Sequence, residues 1–210
     1  MLPQPIRLYD QRRAPNPRRL ALFLAEKGLE IPAVQIDLMT GAHKAPDFLG
    51  VVGWPTVPAV ALSDGTVLTE TIAICRYLEA LHPEPNLMGR DALETAEIEM
   101  WERRIEHGLF RSVVAAFRHT NPKMAALETQ IGAWGELNRA RIDDHLRALD
   151  NQLVGRDWIA ADRVSIADIT AFVAVDFRRI LRHPLPEDVP ALTAWLDRMA
   201  ARPGIMEERA

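Results

Sequence analysis

His82-Pro83-Glu84-Pro85-Asn86 divides the chain into two halves of different character. Proline fixes φ, lacks a backbone N–H and pushes the residue before it out of helical conformation. Two prolines one residue apart therefore leave no room for helix. The segment reads as a rigid linker and sets a plan of residues 1–82, a linker over 83–90, and residues 91–210. A chain of 210 residues could be one domain or two small ones, and 48% hydrophobic content lets it build a proper core.

Before the linker, short β-prone runs alternate with helical patterns. Residues 5–9 read as a strand, and 18–27 as a helix burying Leu20, Phe23 and Leu24, stopped by Gly28. Residues 34–38 are a second strand and 45–51 a short helix. Residues 59–62 and 66–68 form a hairpin around Asp64-Gly65. A helix from Thr71 places Ile74, Cys75, Leu78 and Leu81 on one face. The order is βαβαββα, an α/β layer whose hairpin requires an antiparallel pair, so the sheet should be mixed.

After the linker almost everything is helical. Residues 92–119 should bend at Gly108, and 124–153 near Gly132 and Gly135; helices over 166–177 and 191–201 follow. Ser165-Ile166-Ala167-Asp168 is a capping box, with Val164 and Ile169 placed as a hydrophobic staple. Losing the Ser165 side chain should cost on the order of 1 kcal/mol.

The net charge of -4 argues against general nucleic-acid binding. One cysteine, Cys75, cannot form an internal disulfide, which fits a reducing cytosol. No apolar run reaches the roughly 18–20 residues that span a bilayer, and residues 1–9 hold no long apolar segment of the signal-peptide kind. The expectation is a cytoplasmic protein that binds neither nucleic acid nor membrane. His107 and His119 show no metal spacing with other ligands, so no metal is expected.

Residues 53–60, closed by Glu70-Thr71, can present a bare backbone edge beside a helix N-terminus. A charged, peptide-like ligand can dock on such a surface. The ordered set of Val57-Pro58, Asp64-Gly65, residues 70–74, Tyr77-Leu78, the Ser165 box and the closing Trp195 to Pro203 resembles the cytosolic glutathione transferase superfamily over nearly the whole chain. That resemblance implies a thioredoxin-like N-terminal domain, an all-helical C-terminal domain, glutathione as co-substrate, and a homodimer.

It also implies residue roles. Pro58 would be cis, turning the Val57 amide and carbonyl outward to pair with the cysteinyl backbone of glutathione. The other reading is that Val57-Pro58 simply opens an edge strand. Thr71 and the free amides at its helix N-terminus suit the γ-glutamyl carboxylate, and Glu70 suits its ammonium. These two residues are also an ordinary cap with an acidic neighbour. His43 and Lys44 stand in the family's place for the glycine carboxylate, or are solvated loop residues. Arg12, Arg13, Arg18 and Arg19 could steer an anionic tripeptide, or be surface.

The catalytic donor should come from residues 10–17, Asp-Gln-Arg-Arg-Ala-Pro-Asn-Pro, which resemble the Ser-Pro-Asn or Thr-Pro-Asn loop of bacterial members. Ala14 occupies the hydroxyl or cysteine position, which removes mixed-disulfide chemistry on the enzyme. Three candidates stay open for holding the sulfur as thiolate. Asn16 could donate its amide, or could cap the first helix. Tyr9 lies near the position of the tyrosine classes, or is a packing residue. The backbone amides of residues 14–16 could act with the helix dipole. For the acceptor, Arg104, His107 and Arg111 would share a helix face with Gly108, a face that could equally be solvated or a dimer interface.

The implied function is a glutathione transferase that activates the thiol for attack on a small electrophile or a disulfide. The alternative is a glutathione-binding module with little conjugating activity. Isomerase or dehalogenase chemistry is a third reading, weakened because no paired serine-cysteine loop is present.

Overall fold

The computed structural model describes residues 2–202 and 204–206; Pro203, the last of the sequence landmarks, lies outside them. It forms two compact units, Met1–Asn86 and Leu87–Ala210.

The first unit holds strand β1 (Pro5–Asp10), helix α1 (Pro15–Lys27), β2 (Ala33–Gln35), α2 (Pro46–Val52), β3 (Ala59–Leu62), β4 (Val67–Leu68) and α3 (Thr71–Leu81). The sheet order is β2-β1-β3-β4. β1 and β2 run parallel, while β3 is antiparallel to both β1 and β4, with Tyr9 opposite Ala59 and Val60 opposite Leu68. The sheet is mixed, as the hairpin required. Leu20 and Phe23 of α1 and Ile74, Cys75 and Leu78 of α3 are fully enclosed. Phe48 and Val52 of α2 pack instead with Val57 and Ala59, and Tyr9 joins that cluster.

Two boundaries differ from the sequence expectation. Helix α1 begins at Pro15, because Pro15 and Pro17 have no N–H to lose in a first turn and a preset helical φ. Strand β2 ends at Gln35 rather than 38, because the Asp37 carboxylate accepts from the amides of Met39 and Thr40 and turns the chain. The linker is fastened from inside the first unit. Lys27 Nζ donates to the carbonyls of His82 (2.8 Å) and Pro85 (2.6 Å) and pairs with Glu79 at 2.5 Å. A buried ammonium is tolerated only when its donors are used in this way.

The second unit contains α4 (Ala92–Ile105), a π-helical turn (Glu106–Phe110), α5 (Arg111–Thr120), α6 (Gly132–Ala140), α7 (Ile142–Leu153), α8 (Ile166–Phe177) and α9 (Pro190–Ala200). The expected irregularity at Gly108 is a π turn, which adds a residue and re-aims the side chains beyond it. No α-helix spans residues 124–131, against expectation; a 3-10 turn (Pro122–Ala126) covers only their start. Gln130 Nε2 donates to the Arg118 and Asn121 carbonyls, and His119 Nδ1 accepts from the Ile131 amide, so the segment folds back as a connection. Gly135 does not bend its helix. A Cβ there would lie 2.6 Å from Thr120 Cγ2, so glycine is required by the approach of α6 to α5.

Helix α8 is buried on every side from Ile166 to Val175, as expected of a helix with no polar face. Its capping box is present as read from the sequence. No helix among the described residues is long and apolar enough to cross a membrane.

Glu94 of α4 holds Arg163 through Nη1 (2.6 Å) and Nη2 (2.8 Å). The Arg163 hydrogen bonds, with help from the Arg90 amide and against partial burial, pull the Glu94 carboxyl from 4.5 to about 2. The folded value lies below the unfolded one. The contribution is therefore present above about pH 4.5 and lost as pH falls toward 2. Both side chains are partly solvated, so screening limits it to about 1 kcal/mol. Urea unfolding of wild type and Glu94→Gln should show a stability gap at pH 7 that closes by pH 2.5. A gap independent of pH would remove the ion pair as its source.

Candidate active site

The topology gathers the sequence candidates of the first unit at one end of the sheet. The parallel strands β1 and β2 both end there, and antiparallel pairing brings the start of β3 and the end of β4 to the same edge. Tyr9 and Asp10 close β1; Val57 and Pro58 precede β3; Glu70 follows β4 and opens α3. His43 and Lys44 sit in a 3-10 turn (Ala42–Lys44) on the connection leaving β2.

The Val57-Pro58 peptide is cis. Among the described residues, neither the amide nor the carbonyl of Val57 has a hydrogen-bond partner. The Val57 side chain is buried against α2. This residue thus offers one donor and one acceptor of main chain, as an edge awaiting a further strand does.

Glu70 is exposed and adopts φ 64, ψ 114, a rare conformation for a residue with a Cβ. Its side chain makes no cap. Strain of this kind costs about 1–3 kcal/mol and persists where the surroundings over-determine it. Thr71 is 4% exposed, and its hydroxyl reaches the Asn16 carbonyl at 3.4 Å, so the N-termini of α1 and α3 meet. The first amides of α3 have no intrahelical acceptor, since the first such bond runs from Ile74 to Glu70.

The start of α1 is nearly empty of donors. The Ala14 amide is already given to the Gln11 carbonyl (2.8 Å), Pro15 and Pro17 have none, and Arg18 bonds Ala14 at 3.0 Å. Of the backbone amides of residues 14–16, only that of Asn16 is open. Asn16 is not the cap, which corrects that reading: Ala14 holds the capping position and Asn16 lies in the first turn. Buried Arg19 donates to Asn16 Oδ1 at 2.8 Å, which fixes the amide so that its Nδ2 remains as a donor. Arg19 is therefore an interior residue, unlike the exposed Arg12 and Arg13. Tyr9 is half-buried and meets Phe48 edge-to-face at 5.9 Å. His43 is half-buried and Lys44 exposed.

In the second unit, Trp101, Arg104, Ile105, Leu109, His145 and Leu149 line a cavity of about 330 Å³ between α4 and α7. The Arg104 guanidinium lies 4.9 Å from the Trp101 ring centre, a cation–π contact. His107 and Arg111 are exposed and are not part of that lining, because the π turn rotates the face on which uniform helical spacing groups them with Arg104. Gly108 instead faces His145, whose Cε1 would lie 3.0 Å from a Cβ there. Burial pushes the His145 imidazole below its ordinary value, with Asp144 pulling back and Arg141 reinforcing the shift. His145 went unrecognised in the sequence, although its spacing of three and four from Ala148 and Leu149 marks one face of α7. No trio of His, Cys, Asp or Glu among the described residues is placed to hold a metal.

Comparison with known proteins shows the family of the chain. Residues 14–81 match the model of the glutathione S-transferase N-terminal domain, and residues 136–203 that of the C-terminal domain. The chain belongs to the glutathione S-transferase family. It is 35% identical over 203 residues to glutathione S-transferase 2 of Saccharomyces cerevisiae, covering 94% of this chain and 87% of the yeast protein. The crystal structure of Gtt2 from Saccharomyces cerevisiae superposes with a TM-score of 0.90 at 35% identity, covering 96% of this chain and 99% of that one. A glutathione S-transferase domain-containing protein of Marinobacter aquaeolei VT8 gives 0.91 at 33%, covering 95% and 100%. As a glutathione S-transferase, the protein uses glutathione as its co-substrate.

Proposed function

We propose that glutathione lies along the start of β3 and that its sulfur is held as thiolate at the N-terminus of α1, for attack on a small electrophile or a disulfide. The Val57 amide and carbonyl pair with the cysteinyl backbone. Thr71 and the first amides of α3 take the γ-glutamyl carboxylate, and Glu70 takes its ammonium. His43 and Lys44 receive the glycine carboxylate. Arg104, His107 and Arg111 are the candidates for the acceptor. The protein works in the cytoplasm as a homodimer.

The observation that carries the sulfur assignment is Asn16. Its backbone amide and its Nδ2 are the two open donors at the start of α1, and Arg19 orients the side chain. A free thiol titrates near 8.5, and donors with a helix N-terminus lower that. Tyr9 is the second candidate, and its packing on Phe48 supports it less.

Thiolate absorbance of bound glutathione, followed against pH, tests the reading. In Asn16→Ala the apparent thiol pKa should rise by about one unit, and turnover near neutral pH should fall roughly tenfold. Asn16→Asp should be worse, since it sets a carboxylate beside the developing charge. Equal profiles in wild type and Asn16→Ala would return the role to Tyr9 or the backbone. Tight glutathione binding with no thiolate near pH 7 would favour the binding module, the reading that Ala14 motivates.

A further inference from the structure

Arg19 lies one turn after Asn16 in α1 and is 2% exposed, whereas Asn16 is open to solvent. Arg19 Nη2 donates to Asn16 Oδ1 at 2.8 Å. In the thiolate pose proposed above, on which this inference rests, the guanidinium stands one amide group behind the sulfur. Any neutral donor could hold that amide in place. A guanidinium adds a positive charge, and inside the protein water screens it far less than it screens exposed Arg12 and Arg13.

The charges around it give that cation a task. Asp10 is 5% exposed at the end of β1, and its Oδ2 accepts from Gln35 Nε2 at 2.9 Å. Glu70 stands just before α3, whose N-terminus meets that of α1 where the Thr71 hydroxyl reaches the Asn16 carbonyl. Both carboxylates disfavour a second anion nearby. The buried cations of the first unit, among the described residues, are Arg19 and Lys27. Lys27 gives its donors to the linker from the last turn of α1, while Arg19 sits near the first. Arg18, half-buried, is its neighbour in the chain. Ala14 offers the sulfur no hydroxyl, so charge behind the Asn16 amide supplies stabilisation that a side-chain donor at that position would give.

We propose that Arg19, without touching glutathione, stabilises its thiolate by buried charge in addition to holding the Asn16 amide. It is a positioning residue with an electrostatic role. The thiol proton leaves to water, and no covalent bond of the protein changes.

The thiol pKa of bound glutathione, read from thiolate absorbance in a double-mutant cycle of Asn16→Ala and Arg19→Met, tests this. Arg19→Met alone should raise it by about one unit. It should raise it again in the Asn16→Ala background, where no amide is left to orient. Affinity for S-methylglutathione, which has no thiol to ionise, should stay within about twofold of wild type in Arg19→Met. Arg19→Lys keeps the charge and should leave the thiol near its wild-type value. If Arg19→Met does not fold, Arg19→Lys decides alone, and a rise of about a full unit there overturns the proposal. A double variant equal to Asn16→Ala leaves Arg19 with orientation only, which overturns the proposal while the Asn16 reading stands. Absence of thiolate in wild type near pH 7 overturns both.

Discussion

Replacing Asp168 by alanine should cost about 3–5 kcal/mol, because four buried donors would lose their acceptor together. Asp168 Oδ1 accepts from the Ile159 amide (3.0 Å) and Trp195 Nε1 (2.9 Å), and Oδ2 from the Ser165 amide (3.0 Å) and hydroxyl (2.9 Å). Ile159, Ser165, Asp168 and Trp195 are all at or near zero exposure, so water cannot replace the carboxylate. Burial raises the Asp168 carboxyl above its ordinary range, and the four hydrogen bonds work against that shift. One residue thereby ties the start of α8 to the loop before it and to α9. The Ile166 amide bonds the Leu87 carbonyl at 2.9 Å, extending the tie to the first residue of the helical unit. Chemical denaturation should show the loss as a lowered midpoint. Asp168→Asn should cost about half as much, since it keeps Oδ1 and gives up the acceptor facing the Ser165 amide. An alanine variant within 1 kcal/mol of wild type would mean that the helical unit does not depend on this junction.

That prediction exceeds the sequence expectation for the box, and the excess shows where local reading ends. The pattern Ser165 to Asp168 identified the helix start from spacing alone. Trp195 lies 27 residues downstream and Ile159 nine upstream, and no local signal connects them to the carboxylate. The βαβαββα order, the mixed sheet and α8 were legible because strand alternation, the Asp64-Gly65 turn and the cap act over a few residues. Residues 124–131 were misread because apolar spacing says nothing of Gln130 bonding back to Arg118 and Asn121. The face of α4 shows a different limit of local reading. A π turn shifts register by one residue, so Arg104 lines a cavity with His145 while His107 and Arg111 do not.

The site divides in the same way. The local setting of Val57, Glu70 and Thr71 was legible because strand, turn and helix follow one another in sequence. The state of the loop at Ala14 was not. Whether its amide is free depends on a bond to Gln11, and the orientation of Asn16 depends on buried Arg19. A cluster of arginines in sequence does not tell which one points inward.

Neutralising Glu70 should weaken glutathione far more than it changes the fold. In the proposed pose Glu70 meets the γ-glutamyl ammonium, and a hydrogen bond to a charged group contributes about 1.5–3 kcal/mol. Glu70→Gln should therefore lower kcat/KM for glutathione by roughly 10- to 150-fold, with KM carrying most of the change. Desamino glutathione should lose about as much with wild type, and little further with the variant. Glu70→Gly separates ligand binding from strain. Glycine accepts φ 64 without a Cβ penalty, so this variant should unfold no more easily than wild type while binding glutathione as poorly as Glu70→Gln. If Glu70→Gly bound glutathione normally, the strained residue would serve only the turn into α3, and the ammonium would need another partner. If both variants bound normally but unfolded readily, Glu70 would be a structural cap, and the γ-glutamyl end would rest on Thr71 and the helix amides alone.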